Sequence, residues 1–128
     1  MDSIEEIMRE NVEYCKISTS IFGKDIVIIF LYRSKKYLER QFKSDLDMLV
    51  SEHENVRNII ILGDSNEEAL LIEKGYDQII MEPTTRERTR IDQAYVKLKD
   101  FNAEGLVLYK CFEESYHHPI CVCITSMQ

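Results

Sequence analysis

The sequence predicts a mixed α/β fold, and three observations carry the prediction. Runs rich in β-branched residues alternate with segments whose apolar residues recur every three or four positions. The run Ile59-Ile60-Ile61-Leu62 is too short and too β-branched for a helix, so it reads as a strand buried on both faces. The last third of the chain holds three consecutive strand-like runs joined by polar loops, which gives the pattern an antiparallel end.

Each element follows from local chemistry. Val12 to Phe22 alternates, Gly23-Lys24-Asp25 has turn composition, and Ile26 to Tyr32 is apolar, together a β-hairpin leading into a buried strand. From Ser34 to His53, Leu38, Phe42, Leu46, Leu49 and Val50 recur at helical spacing, with Ser34 as N-cap, predicting a long amphipathic helix. The strand Val56 to Leu62 ends at Gly63. A shorter helix, Glu67 to Lys74, closes on Gly75, and Gln78 to Met81 forms a brief strand before the Pro83-Thr84-Thr85 loop. Arg90 to Lys97, Gly105 to Phe112 and Ile120 to Thr125 complete the set.

The bulk properties set limits. With 128 residues, two prolines and no repeat or low-complexity tract, residues 1–128 read as one domain with no linker. The longest apolar run, Ile26 to Tyr32, falls far short of the about 18 residues that cross a membrane. Met1-Asp2-Ser3-Ile4-Glu5-Glu6 lacks the basic flank and apolar stretch of a secretory signal, so an intracellular location, cytoplasmic or nuclear, is expected. Cys15, Cys111, Cys121 and Cys123 lack C-x-x-C spacing. They read as reduced core or near-core thiols, with Cys121 and Cys123 on one face of a strand. A net charge of −7 opposes general attraction to nucleic acid. Two basic clusters soften it: Lys35, Lys36, Arg40 and Lys43, which reads first as a solvated face, and Arg86, Arg88 and Arg90 just before Asp92.

Three motifs carry chemistry. In Gly63-Asp64-Ser65-Asn66, which follows a buried strand, a carboxylate and a carboxamide two residues apart can serve a hard cation, a water or an anionic oxygen. Alone, the same string is more often a turn or helix cap. Arg90-Ile91-Asp92 puts a carboxylate at a strand start, where it can fix the tautomer of a histidine, although an isolated aspartate there is commonly just surface. In Ser115-Tyr116-His117-His118-Pro119-Ile120, two histidines precede a proline that opens a strand. His117 can donate to a phosphate oxygen if its other nitrogen is held, whereas a zinc site lacks companion ligands and a solvated histidine pair is the ordinary alternative.

Taken together with Tyr32, these strings resemble the carboxy-terminal half of the endonuclease/exonuclease/phosphatase family of Mg²⁺-dependent nucleases and phosphatases. Its hallmarks are Gly-Asp-x-Asn, an Ile-Asp pair opening a strand, and Ser-Asp-His-x-Pro; here they read Gly63-Asp64-Ser65-Asn66, Ile91-Asp92 and Ser115-Tyr116-His117-His118-Pro119. The stretch Gln78 to Arg86 is similar to the segment before Ile-Asp in retroelement-type members. The resemblance runs from about Gly23 to Ile124 and implies a partial α/β sandwich: a mixed β-sheet with a long amphipathic helix and a shorter one.

It also implies roles. Asp64 would orient the attacking water, and Asp64 and Asn66 would hold Mg²⁺ or the phosphate. Asp92 would orient His117, which would contact the scissile phosphate, while Tyr32 and Arg90 would bind substrate, with nucleic acid the expected class. Two departures cut against full activity. Tyr116 stands where the motif has aspartate, and the family's early asparagine and metal-binding glutamate belong to an amino-terminal half that these residues do not match; Glu13 reads as too embedded in the first hairpin to replace it. The isolated chain is therefore expected to be a weak or inactive nuclease, or a non-catalytic interaction or dimerisation module derived from one. Half a sandwich leaves an apolar sheet face for a second copy or a separate amino-terminal half to cover. A receiver or nucleotide-binding domain fits less well, for want of a glycine-rich phosphate loop.

Overall fold

The computed structural model describes residues 3–8, 13–32, 39–63, 68–81, 93–107 and 120–127. They form strands β1 (Ser3–Met8), β2 (Glu13–Ile21) and β3 (Lys24–Tyr32), helix α1 (Glu39–Glu52), strand β4 (Asn58–Gly63), helix α2 (Glu68–Glu73), and strands β5 (Asp77–Gln78), β6 (Gln93–Leu98), β7 (Phe101–Val107) and β8 (Ile120–Ser126). Six strands make one sheet in the order β1-β2-β3-β4-β6-β5, and β7 and β8 pair as a second, smaller sheet. The large sheet is mixed: β3 and β4 are parallel, and the other neighbours are antiparallel.

The period-two alternation of the strands sorts the core into two layers. On one face Ile29 and Leu31 of β3, Ile59 and Ile61 of β4 and Tyr95 of β6 pack against Phe42, Leu46, Leu49 and Val50 of α1 and Leu70 and Leu71 of α2. The spacing of the α1 residues is the helical period, and all four are buried, so the observed 14 residues present an apolar stripe to the sheet. Residues 34–38 of the expected helix lie outside the described residues. The buried His53 closes the helix, its Nδ1 donating to the Leu49 carbonyl at 2.7 Å. On the opposite face Ile26, Ile60 and Val96 pack against Phe101, with Ala103, Val122 and Ile124 of the small sheet alongside.

Several boundaries differ from expectation for local reasons. The hairpin turn is tighter, because Phe22 (φ 53°) and Gly23 (φ 78°) make the whole connection and Lys24 already pairs with Ile21. Helix α2 ends as expected, with Tyr76 N–H bonded to the Leu71 carbonyl and Gly75 N–H to that of Ile72, both at 3.0 Å, around Gly75 (φ 93°). Strand β5 stops after two residues, since the buried Gln78 side chain takes over the backbone of Ile80, accepting from its N–H at 2.5 Å and donating to its carbonyl at 2.7 Å. Strand β1 had no counterpart in the sequence reading: Ser3–Met8 joins the sheet edge by antiparallel pairing with β2.

One end of the large sheet is tied by Asn58, which is buried and uses its whole amide. Its Nδ2 donates to the Asp25 carbonyl (2.9 Å) and to Asp100 Oδ2 (2.7 Å), and its Oδ1 accepts from the N–H groups of Lys99 (2.9 Å) and Asp100 (3.0 Å). The turn between β6 and β7 is thereby fixed to the starts of β3 and β4. Arg57 completes the corner with paired bonds to the Asp100 carboxylate at 2.7 and 3.0 Å. Arg57 and Asn58 together hold that carboxyl well below its ordinary range, at about 2.

Candidate functional site

At the other end of the sheet lie described positions that flank the motif strings in sequence. Leu31, Gly63 and Gln93 lie in one row across β3, β4 and β6, because Leu31 pairs with Gly63 and Gly63 with Gln93. At the normal spacing of neighbouring strands such a row spans only about 10 Å. Tyr32 is the residue after Leu31, Asp64 the residue after Gly63, and Asp92 the residue before Gln93.

Gly63 is required at its place in this row. Its φ of 149° lies in a region that side chains rarely adopt, and a Cβ there would sit 2.1 Å from the Leu31 carbonyl oxygen. The close approach brings the ends of the two parallel strands together where the Asp64-Ser65-Asn66 segment begins.

The small sheet runs toward the same end. Strand β7 leaves the Asn58 corner at Phe101 and by Gly105 has reached Ile79, whose N–H is bonded to the Ala94 carbonyl. A Cβ on Gly105 would meet the Ile79 carbonyl oxygen at 2.6 Å, so β7 crosses almost in backbone contact. Two residues further, Val107 pairs with Ile120 at the start of β8. His117 precedes Ile120 by three residues in the sequence. Ile120 also lines an apolar cleft of about 350 Å³ together with Val122 and Ile124 of β8, and with Ile21, Ile28, Ile60 and Leu62 of the large sheet.

The predicted site residues are thus flanked by described positions, while Asp64, Asn66, Arg90, Asp92, Tyr116 and His117 themselves lie outside the described residues. So do Arg86 and Arg88 of the basic cluster and Ser34, the expected N-cap. Tyr32 is placed by its backbone as the last residue of β3. Glu13 is its register partner, the first residue of β2. Glu13 therefore lies in the first hairpin, at its open end opposite Tyr32.

Among the described residues no group of three or more His, Cys, Asp or Glu could hold a metal. Asp64 and Asn66, the donors expected from the sequence, lie outside the described residues. Carboxylate and carboxamide oxygens suit Mg²⁺, which retains several of its own waters.

Two features of this end were not anticipated. Gln93 is buried at the edge, its Oε1 accepting from the Tyr95 hydroxyl. Its position two residues before Tyr95, on the same strand face, was the available signal. The cleft between the sheets depends on packing across distant elements and left no local trace.

Among the described cysteines, all free, the exposed Cys123 departs from the expected near-core placement. Val122 and Ile124 take the inward positions of β8. Both cysteines beside them lie on the outer face of β8, Cys121 half-buried and Cys123 exposed. Cys15 is half-buried, and Cys111 lies outside the described residues.

Solved structures share this architecture. D. rerio TDP2 humanized by 14 mutations superposes with a TM-score of 0.70 at 12% identity, covering 95% of this chain and 65% of that one. CdtB, the biologically active subunit of cytolethal distending toxin, gives 0.60 at 13%, covering 94% and 55%. The Bacteroides thetaiotaomicron mannosyl-6-phosphatase gives 0.62 at 14%, covering 89% and 56%. The chain has the endonuclease/exonuclease/phosphatase fold. It spans just over half to just under two thirds of the length of these structures. No family model matches the sequence, and no curated protein does. The likeness therefore lies in how the endonuclease/exonuclease/phosphatase fold is built, in a mixed sheet with helices on one face and a second sheet on the other. No helix among the described residues is long and apolar enough to cross a membrane.

Proposed function

We propose that the chain is a nuclease-like domain related to Mg²⁺-dependent phosphodiesterases acting on nucleic acid, weak or inactive by itself. The observation that carries this reading is the convergence of Tyr32, Gly63, Gln93 and Ile120 at one end of the two sheets. These are the positions from which the four motif segments start or at which they end.

In this reading Asp64 accepts a hydrogen bond from the attacking water and aligns it with the phosphorus. Asp92 holds one ring nitrogen of His117, so that the other donates to a phosphate oxygen. Tyr32 and Arg90 contact the substrate backbone. Mg²⁺ held by Asp64 and Asn66 would supply charge stabilisation to the phosphate as negative charge builds on its oxygens. Tyr116 removes a carboxylate from this set, and a single carboxamide and carboxylate leave the cation few protein ligands; both favour low activity. D. rerio TDP2 has been solved with a single-strand DNA product at a TM-score of 0.65 and 13% identity, which supports nucleic acid as the substrate class. The retroelement-like segment Gln78 to Arg86 points the same way, against a net charge of −7.

A second reading is a non-catalytic interaction module that covers its apolar surface with a second copy or with a separate amino-terminal half. Phe30, 46% exposed on the face that carries Ile28 and the cleft, favours it. Nicking of supercoiled plasmid separates the two. We expect slow nicking that requires Mg²⁺ and is lost in Asp64→Ala and His117→Ala. Nicking that survives both substitutions would overturn the proposed site, and complete inactivity would favour the interaction module.

A further inference from the structure

We propose that Cys121 and Cys123 form a two-thiolate binding site for a soft divalent cation of the zinc and cadmium class, on the outer face of the β7–β8 sheet. This surface is turned away from the cleft and from the large sheet, so the site is independent of the chemistry proposed above.

Strand alternation puts both sulfurs on one side of β8. Val122 and Ile124 face inward against the core of the two sheets, so Cys121 and Cys123 face outward. The two Sγ atoms are 3.8 Å apart. That spacing matches a shared ion. Tetrahedral coordination at about 2.3 Å from each sulfur sets the two sulfurs about 3.8 Å apart, so both could bind one cation without moving.

The same strand geometry works against a disulfide. Residues i and i+2 of an extended strand have Cα atoms about 6.8 Å apart, at the upper limit of what a disulfide spans, so the bond would require β8 to buckle. Glu104 is the cross-strand partner of Cys123, and it is exposed. Binding forms two metal–sulfur bonds and releases two thiol protons to solvent. Among the described residues no third His, Cys, Asp or Glu joins the pair in a metal-binding group.

The test uses the whole reduced chain titrated with Cd²⁺ alone. We expect thiolate-to-cadmium absorption in the near ultraviolet that saturates at one equivalent, together with protection of Cys121 and Cys123 from iodoacetamide, mapped by peptide mass. The absorption should vanish in the Cys121→Ser/Cys123→Ser double variant and persist in Cys15→Ser/Cys111→Ser. Protection falling on Cys15 or Cys111, absorption retained without Cys121 and Cys123, or no absorption at all would overturn the proposal. The alkylation map is read on the unsubstituted chain, so it decides the matter even where a variant folds poorly.

Discussion

Removing the Asn58 amide should unlock the end of the sheet opposite the candidate site. Asn58→Ala deletes four hydrogen bonds at once, those to the Asp25 carbonyl, the Asp100 carboxylate and the N–H groups of Lys99 and Asp100. At a net value of about 1 kcal/mol each they sum to about 4 kcal/mol, and water entering the partly exposed turn lowers the expected loss to about 3 kcal/mol. With a urea m-value of about 1.5 kcal/mol per molar, the unfolding midpoint should fall by about 2 M while m stays constant. Arg57→Ala is the control. Its guanidinium bonds the same Asp100 carboxylate, but its side chain is 67% exposed, so its midpoint should move much less. A shift for Asn58→Ala below about 0.5 M, or one no larger than that of Arg57→Ala, would refute the reasoning.

Four further outcomes are expected. Gly63→Ala should cost about 3 kcal/mol or more in the same urea experiment, because its Cβ would lie 2.1 Å from the Leu31 carbonyl oxygen and force β3 and β4 apart at the candidate site. Gly105→Ala should cost about 1–3 kcal/mol in thermal unfolding by lifting β7 off Ile79 and Ile80, where a Cβ would approach to 2.6 and 2.7 Å. The Asp100 carboxyl lies at about 2 against an ordinary 3.8, so its stabilisation is present above pH 3.8 and lost as pH falls toward 2; Asp100→Asn should flatten the acid limb of a stability–pH curve. Burial pushes the Tyr76 hydroxyl from 10.0 up to about 12, so the unfolded chain ionises first and stability should fall as pH rises from 10 to 12, a slope that Tyr76→Phe should remove.

How much of this was readable in the sequence differs from element to element. The isoleucine run of β4 and the three-and-four spacing of Phe42, Leu46, Leu49 and Val50 state their burial directly, because each repeats the period of the structure it forms. Strand β1 was not readable. Ser3–Met8 carries two glutamates, and its place comes from backbone pairing with β2, which has no side-chain signature. The end of β5 depends on one side chain, Gln78, competing for the backbone of Ile80. Alternation correctly placed Cys121 and Cys123 on one face, but which face is decided by Val122 and Ile124 meeting Ile60 across the sheets. For the site, the motifs Gly63-Asp64-Ser65-Asn66 and Ile91-Asp92 were visible as strings, whereas the register that sets Gly63 against both Leu31 and Gln93 is a property of strand pairing. The register of the first hairpin makes Glu13 the partner of Tyr32.

The central claim is that these strand ends surround a site for a hard cation and phosphate. Mn²⁺ prefers the same oxygen ligands as Mg²⁺ and broadens nearby amide resonances, so titrating it into the isotope-labelled chain maps the site without requiring turnover. The amides of Tyr32, Gly63, Gln93 and Ile120 should lose intensity first, those of Asn58, Leu98 and Phe101 at the far end should persist, and Asp64→Ala should weaken the effect. Uniform loss, loss centred on the Asn58 corner, or a pattern unchanged by Asp64→Ala would contradict the account.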